Sequence, residues 1–138
     1  MADQFIFIPV LIQIFLTLML YVALLKRKKK AAADKTVDLE RRGLHNDAWP
    51  DTVLQVNNNI RNQFEVPVLF YALIMVLWSL EAINIYAHAL AWIFVLTRLV
   101  HAYVHTGSNF VPLRLRMFSF GIYSVLGMIV LAGVAIAA

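Results

Sequence analysis

The sequence predicts an all-α integral membrane protein, a bundle of four transmembrane helices. Three observations predict it. The 138 residues are 62% hydrophobic and only 14% charged, where a soluble domain carries about 25% charged residues. Mean hydropathy is +0.74. The apolar residues fall into four long runs separated by polar or turn-forming segments. Cysteine is absent, which removes disulfides, thiolate metal sites and cysteine nucleophiles.

The first run, Phe5–Leu25, is 21 residues without a charge, enough to cross about 30 Å of hydrocarbon. Asp3 near its start, and the basic residues that follow it without a small-residue cleavage site, do not read as a cleavable signal peptide. A basic loop over 26–52 comes next. Eight of the twelve Lys and Arg residues lie between Lys26 and Arg42, so the positive charge (pI near 9.6) marks membrane topology and attraction to anionic lipid, not nucleic acid.

The second apolar run, Val66–Leu80, has only 15 residues. It spans the membrane only if the polar stretch from Val53 belongs to the same helix, giving a helix over about 53–80. Pro67 cannot donate to the carbonyl of Gln63, so this helix should bend there and leave a carbonyl in search of a partner. A tight turn near Glu81–Asn84 leads to a third helix over about 83–106. A loop at Gly107–Pro112, rich in turn residues, precedes a fourth helix over about 114–137. The whole chain is one domain. The positive-inside rule puts the first and third loops on the cytoplasmic side. Gln13 and Thr17 make a small polar step on the first helix, suited to helix–helix hydrogen bonding.

The tight second turn sets membrane depths. With residue 82 as the apex, Glu65 stands 17 residues before it and Arg98 16 residues after it. At about 1.5 Å per residue both lie roughly 25 Å from the apex, towards the cytoplasmic side. By the same measure Asn58 is level with His105, and Arg61 with His101–Tyr103. Asn58, Arg61, Asn62 and Glu65 share one arc of about 100°. Arg98, His101 and His105 share a narrower arc, and Arg114 and Arg116 open the fourth helix at the same level.

Charges within a span cost roughly 2.5–3.5 kcal/mol each on insertion scales, so they face a partner or a wet cavity. Glu65 and Arg98 could form a buried structural ion pair. Yet four arginines stand against Glu65, the one acid in the helices at that level. That surplus of cationic donors points to an anionic ligand. Lipid phosphate could balance Arg114 and Arg116 by snorkelling, but Arg98 lies deeper. His101 and His105 are four residues apart, a spacing that can hold a metal, but the neighbouring arginines repel a dication. No metal is expected, and acid–base or hydrogen-bonding roles fit them better.

Asn62-x-x-Glu65-x-Pro67, Arg98-x-x-His101 and the arginine-bearing start of the fourth helix occur in one chain with a long first loop. In this the sequence resembles the MAPEG family, membrane-associated proteins in eicosanoid and glutathione metabolism, over essentially its whole length. The resemblance implies a homotrimer with active sites between subunits near the cytoplasmic face. It implies glutathione as the bound thiol and a lipophilic electrophile or lipid hydroperoxide as the second substrate, in a transferase or peroxidase reaction. Carried over by position, Asn62 and Glu65 match glutathione-contacting residues, Arg98 matches the third-helix arginine, and Arg114, or Arg116 after a short slippage, matches the catalytic arginine. Two positions depart from the eukaryotic pattern: Asn58 stands where an arginine is usual and His105 where a tyrosine is usual, with Arg61 placed to supply the missing charge. The chain looks like the bacterial branch, which implies a bacterial inner membrane ahead of the endoplasmic reticulum. The alternative reading is a non-catalytic scaffold, accessory subunit or lipid-binding trimer of the same fold.

Overall fold

The structure is a computed structural model that describes residues 3–138. Its helices are α1 (Phe7–Ala33), α2 (Asp51–Gln63), α3 (Val66–Ser79), α4 (Ile85–Thr106) and α5 (Val111–Ala137). Four stretches are long and apolar enough to cross a membrane: α1 with its short lead-in, α2 and α3 together, α4, and α5.

Helix α1 runs past the apolar stretch to Ala33, so Lys26–Lys30 are helical and the first loop begins only at Asp34. Lys, Arg and Ala are good helix formers, and cations favour a helix C-terminus. Hydropathy marks where the span ends, and the helix outlasts it. The loop that follows is pinned down. Asp38 Oδ1 accepts from the backbone N–H groups of Glu40 and Arg41 at 3.1 and 3.2 Å. Arg41 donates to Asp47 at 2.8 Å, and this hydrogen bond holds the Asp47 carboxyl below its usual range.

The second span is two helices. Phe64 and Glu65 interrupt it, with Glu65 at φ −100°, ψ −102°, and Pro67 opens α3 where its missing N–H is harmless. The expected bend at Pro67 is therefore a break two to three residues earlier. The carbonyl that gains a side-chain partner is Asn62's, one residue before the expected Gln63. The turn into α4 is tight, and Asn84 caps that helix by accepting from Tyr86 N and Ala87 N, both at 3.0 Å. Helix α5 starts at Val111, three residues before expectation, with Pro112 in its first turn, so Arg114 and Arg116 are already helical.

Helices α4 and α5 form the most extensive pair; α1 lies along α2 and α4, and α3 along α5. The apolar core occupies the half of the bundle nearer the α3–α4 turn. There Phe70 stacks on Phe94 with ring centroids 4.3 Å apart, above Ile74, Leu77, Ala91 and Met128. A smaller cluster of Leu20, Val56 and Ile60 seals α1 against α2. Outward-facing residues such as Leu11, Phe15, Leu126 and Val130 present an apolar surface suited to lipid.

Close packing of α4 on α5 depends on Gly127. A Cβ there would lie 3.0 and 3.1 Å from the two methyls of Leu90, whereas Gly133 has open space around it. Gly127→Leu should lower stability by about 1–3 kcal/mol through overpacking. Gly133→Leu should leave it nearly unchanged. Thermal unfolding of the two variants in detergent checks this, and equal effects would mean that Leu90 does not limit the approach.

Candidate functional site

A polar layer separates the two apolar clusters. Gln13 Nε2 donates to Gln63 Oε1 at 2.7 Å, Gln63 Nε2 donates to Asn59 Oδ1 at 2.9 Å, and Asn59 Nδ2 donates to Ala102 O at 3.1 Å. All three side chains are buried. The chain of amides ties α1 to α2 and α2 to α4, and it fixes the height of α2 against the helix that carries the histidines. Gln13 thus makes the interhelical bond expected of it, and Thr17 Oγ1 bonds back to Gln13 O at 3.1 Å. Gln63→Leu would strand the buried amides of Gln13 and Asn59. The expected cost is about 1–3 kcal/mol, seen as a lower unfolding midpoint.

Asn59 and Gln63 were not expected as site-building residues. They lie four apart on the face beside the charged one, in a run, Asn57–Asn58–Asn59, whose members look alike in sequence. A polar i, i+4 pair flanked by Val56 and Ile60 was the available signal.

Next to this layer lies Arg98. Its side chain is 1% exposed, the largest among the fully buried ones. Nη2 donates to the carbonyl of Asn62 at 3.2 Å, one of the groups set free by the α2–α3 break. Nε and Nη1 have no hydrogen-bond partner among the described residues. Glu65 is near enough for its charge to act on Arg98, but no ion pair joins them among the described residues. Glu65 itself is exposed. His101, one turn on, is 2% exposed and its Nδ1 also lacks a partner. Its ring meets that of His105 edge-on at 5.6 Å and packs 6.2 Å from Phe118.

His105 reaches a cleft of about 290 Å³ bounded by Asp51, Leu54, Gln55, Asn58, Asn109 and Arg114. Its Nδ1 lies 3.5 Å from Asn62 Nδ2. With the amide donating, Nδ1 accepts and Nε2 carries the proton, leaving one N–H for a ligand. Arg114 Nη1 donates to Asn109 Oδ1 at 2.5 Å, which orients the guanidinium within the cleft wall.

The structure therefore brings Asn58, His105 and Arg114 to one cleft. Asn62, Arg98 and His101 stand behind it. Arg61 and Arg116 are exposed and do not line this cleft. One expectation about charge needs correction: Asp51, at the start of α2, also borders the cleft, so Glu65 is not the only acid at this level. Asp51 was overlooked because it precedes the apolar pattern and looks like a capping residue of the first turn.

Another group sequence reading passed over is Arg27. It donates to Thr52 O and Thr106 O, both at 2.6 Å, clamping the end of α1 to the start of α2 and the end of α4. A run of five cations gives no sign of which one turns inward.

Fold and site together define a four-span integral membrane protein with a partner-poor cationic cluster at one end of the bundle. The chain belongs to the MAPEG family, whose profile matches residues 6–134. Neither a curated protein nor a solved structure matches it.

Proposed function

We propose that this protein is a glutathione-dependent transferase or peroxidase of the membrane, acting as a homotrimer on a lipophilic electrophile or lipid hydroperoxide that enters from lipid. The observation that carries the reading is Arg98, a buried guanidinium with two unpartnered nitrogens beside an unpartnered imidazole nitrogen. Buried polar groups are nearly always bonded, so donors left free in a cationic cluster point to an anion that completes them.

The donor set suits glutathione. At neutral pH that tripeptide carries two carboxylates and one ammonium. Arg98, Arg114 and exposed Arg61 supply cations for the former, and Asp51 and Glu65 supply anions for the latter. Glutathione brings the thiol nucleophile to the reaction. The protein binds its ends, holds it at the cleft and stabilises the ionised sulfur. A thiol with an ordinary pKa near 8.5 is mostly protonated at pH 7. Arg114 at the cleft wall stabilises the anion by charge, and His105 donates Nε2–H to it. Arg114 is preferred to Arg116 because Arg114 shares the cleft with Asn58 and His105. Asn58 borders the cleft, and Arg61, exposed one turn along the same face, adds positive charge outside it.

Ultraviolet difference absorbance of the purified protein with glutathione tests the reading. The expected result is a saturable thiolate band in the wild type and in Arg116→Ala, lost in Arg114→Ala. No band at saturating glutathione would remove glutathione from the proposal and leave a lipid-binding or scaffold trimer of the same fold.

A further inference from the structure

Five consecutive cations, Lys26–Lys30, lie on the last turns of α1 beyond Leu25, the final residue of its apolar run. At about 1.5 Å per residue they occupy roughly 6 Å of axis. The headgroup layer on each side of the hydrocarbon is about 5–8 Å deep, so all five sit within it. They are not equivalent. Arg27 turns inward to the carbonyls of Thr52 and Thr106. Lys28 Nζ lies 4.8 Å from the centre of the Trp49 ring. Lys30 bonds Asp34 at 2.6 Å. Lys26 and Lys29 are exposed and enter no ion pair among the described residues.

Between the end of α1 and the start of α2 is a cleft of about 420 Å³, distinct from the one at Arg114, lined by Arg27, Lys30, Asp34, Thr36 and Thr52. Arg27 spends two of its five N–H donors on the carbonyls and keeps three. Lys30 and the hydroxyl of Thr52 add further donors, while the Thr36 hydroxyl is already given to the carbonyl of Ala31 at 3.3 Å. We infer that this cleft binds the phosphodiester of an anionic phospholipid, with Lys26 and Lys29 steering the headgroup from its rim. A phosphate displaces Asp34 from Lys30 and is met by a guanidinium already held in place. Its acyl chains follow the apolar face of α1, which ends at the same level. This site is independent of what occupies the cleft at Arg114.

The test offers purified wild-type protein a mixture of phosphatidylglycerol and phosphatidylcholine and reads retained lipid by native mass spectrometry. The wild type is expected to retain phosphatidylglycerol selectively. Lys26→Gln/Lys29→Gln/Lys30→Gln should lower that preference by at least about tenfold, since each basic residue near an anionic surface adds to the attraction. Lys35→Gln/Arg41→Gln/Arg42→Gln removes the same charge from the loop and should leave it unchanged. Equal loss in both variants, equal retention of the two lipids, or displacement by millimolar inorganic phosphate would each overturn the assignment. Should the triple variant resist purification, Lys30→Gln alone carries the same comparison.

Discussion

Arg114→Ala is expected to lower turnover by about a hundredfold or more while changing the apparent affinity for glutathione only a few-fold. Removing one donor that stabilises a developing anion typically costs a factor of 10²–10³. Arg114 is half-buried, held by Asn109, and borders the cleft beside His105, so its charge is set in place before a ligand arrives. A side chain fixed in this way acts on the reacting atom more than on the ends of the peptide. Single-turnover kinetics with a lipophilic electrophile would separate the two effects. Arg116→Ala, at an exposed position outside the cleft, should remain within a few-fold of the wild type. Comparable loss in turnover and affinity on changing Arg114 would assign it to binding alone. Comparable loss in the two arginine variants would point to the headgroup layer rather than to the cleft.

Arg98→Leu is expected to abolish ligand binding and leave the protein folded, with equal or greater thermal stability. A buried charge is costly unless it is paired, and replacing it by an apolar residue of similar volume is often neutral or stabilising. Among the described residues the one hydrogen bond the Arg98 side chain makes is to the carbonyl of Asn62, at 3.2 Å. If its purpose were structural, losing that bond and the neighbouring charge of Glu65 should destabilise the protein. If its purpose is to hold an anion, stability rises or holds while affinity falls by about a hundredfold or more, as when one partner of a buried charge pair is removed. Arg98→Lys should not rescue, because one ammonium does not reproduce the fork of a guanidinium. Isothermal titration of glutathione beside thermal unfolding decides the matter. A lower unfolding midpoint with unchanged binding would make Arg98 a structural residue.

The four spans were legible because hydropathy reports them directly. The relative heights of the second and third spans were legible because the turn at Glu81–Asn84 is tight and both arms rise at a nearly constant rate. That is why Asn58 and His105 meet at one cleft, and why Arg98 reaches the carbonyl of Asn62. Helix ends were less legible. Lys26–Ala33 satisfies helix propensity but not the apolar pattern, and the pattern was the stronger signal. The break at Phe64–Glu65 was placed late because a proline marks where a helix restarts, not where the previous one stops. The amide chain through Gln13, Gln63 and Asn59, and the clamp made by Arg27, were illegible for a shared reason. Each is singled out from like neighbours by rotational position, and a one-residue difference in phase decides which of several similar side chains turns inward. The preference for Arg114 over Arg116 rests on the same kind of phase, fixed once α5 is seen to start at Val111.

The interruption at Phe64–Glu65 divides the second span into a polar segment that lines the cleft and an apolar segment that belongs to the core. Nothing in the hydrogen-bonding ladder crosses from α2 to α3 as it would in one continuous rod. A change in tilt or side-chain size on α2 is therefore absorbed at the joint, and Phe70, Ile74 and Leu77 keep their places. A protein built this way is adjustable at one end and conservative at the other. Its choice of ligand can be altered by substitution at Asp51, Leu54, Gln55 and Asn58, the α2 residues that border the cleft, without renegotiating the packing that lets it fold in a membrane.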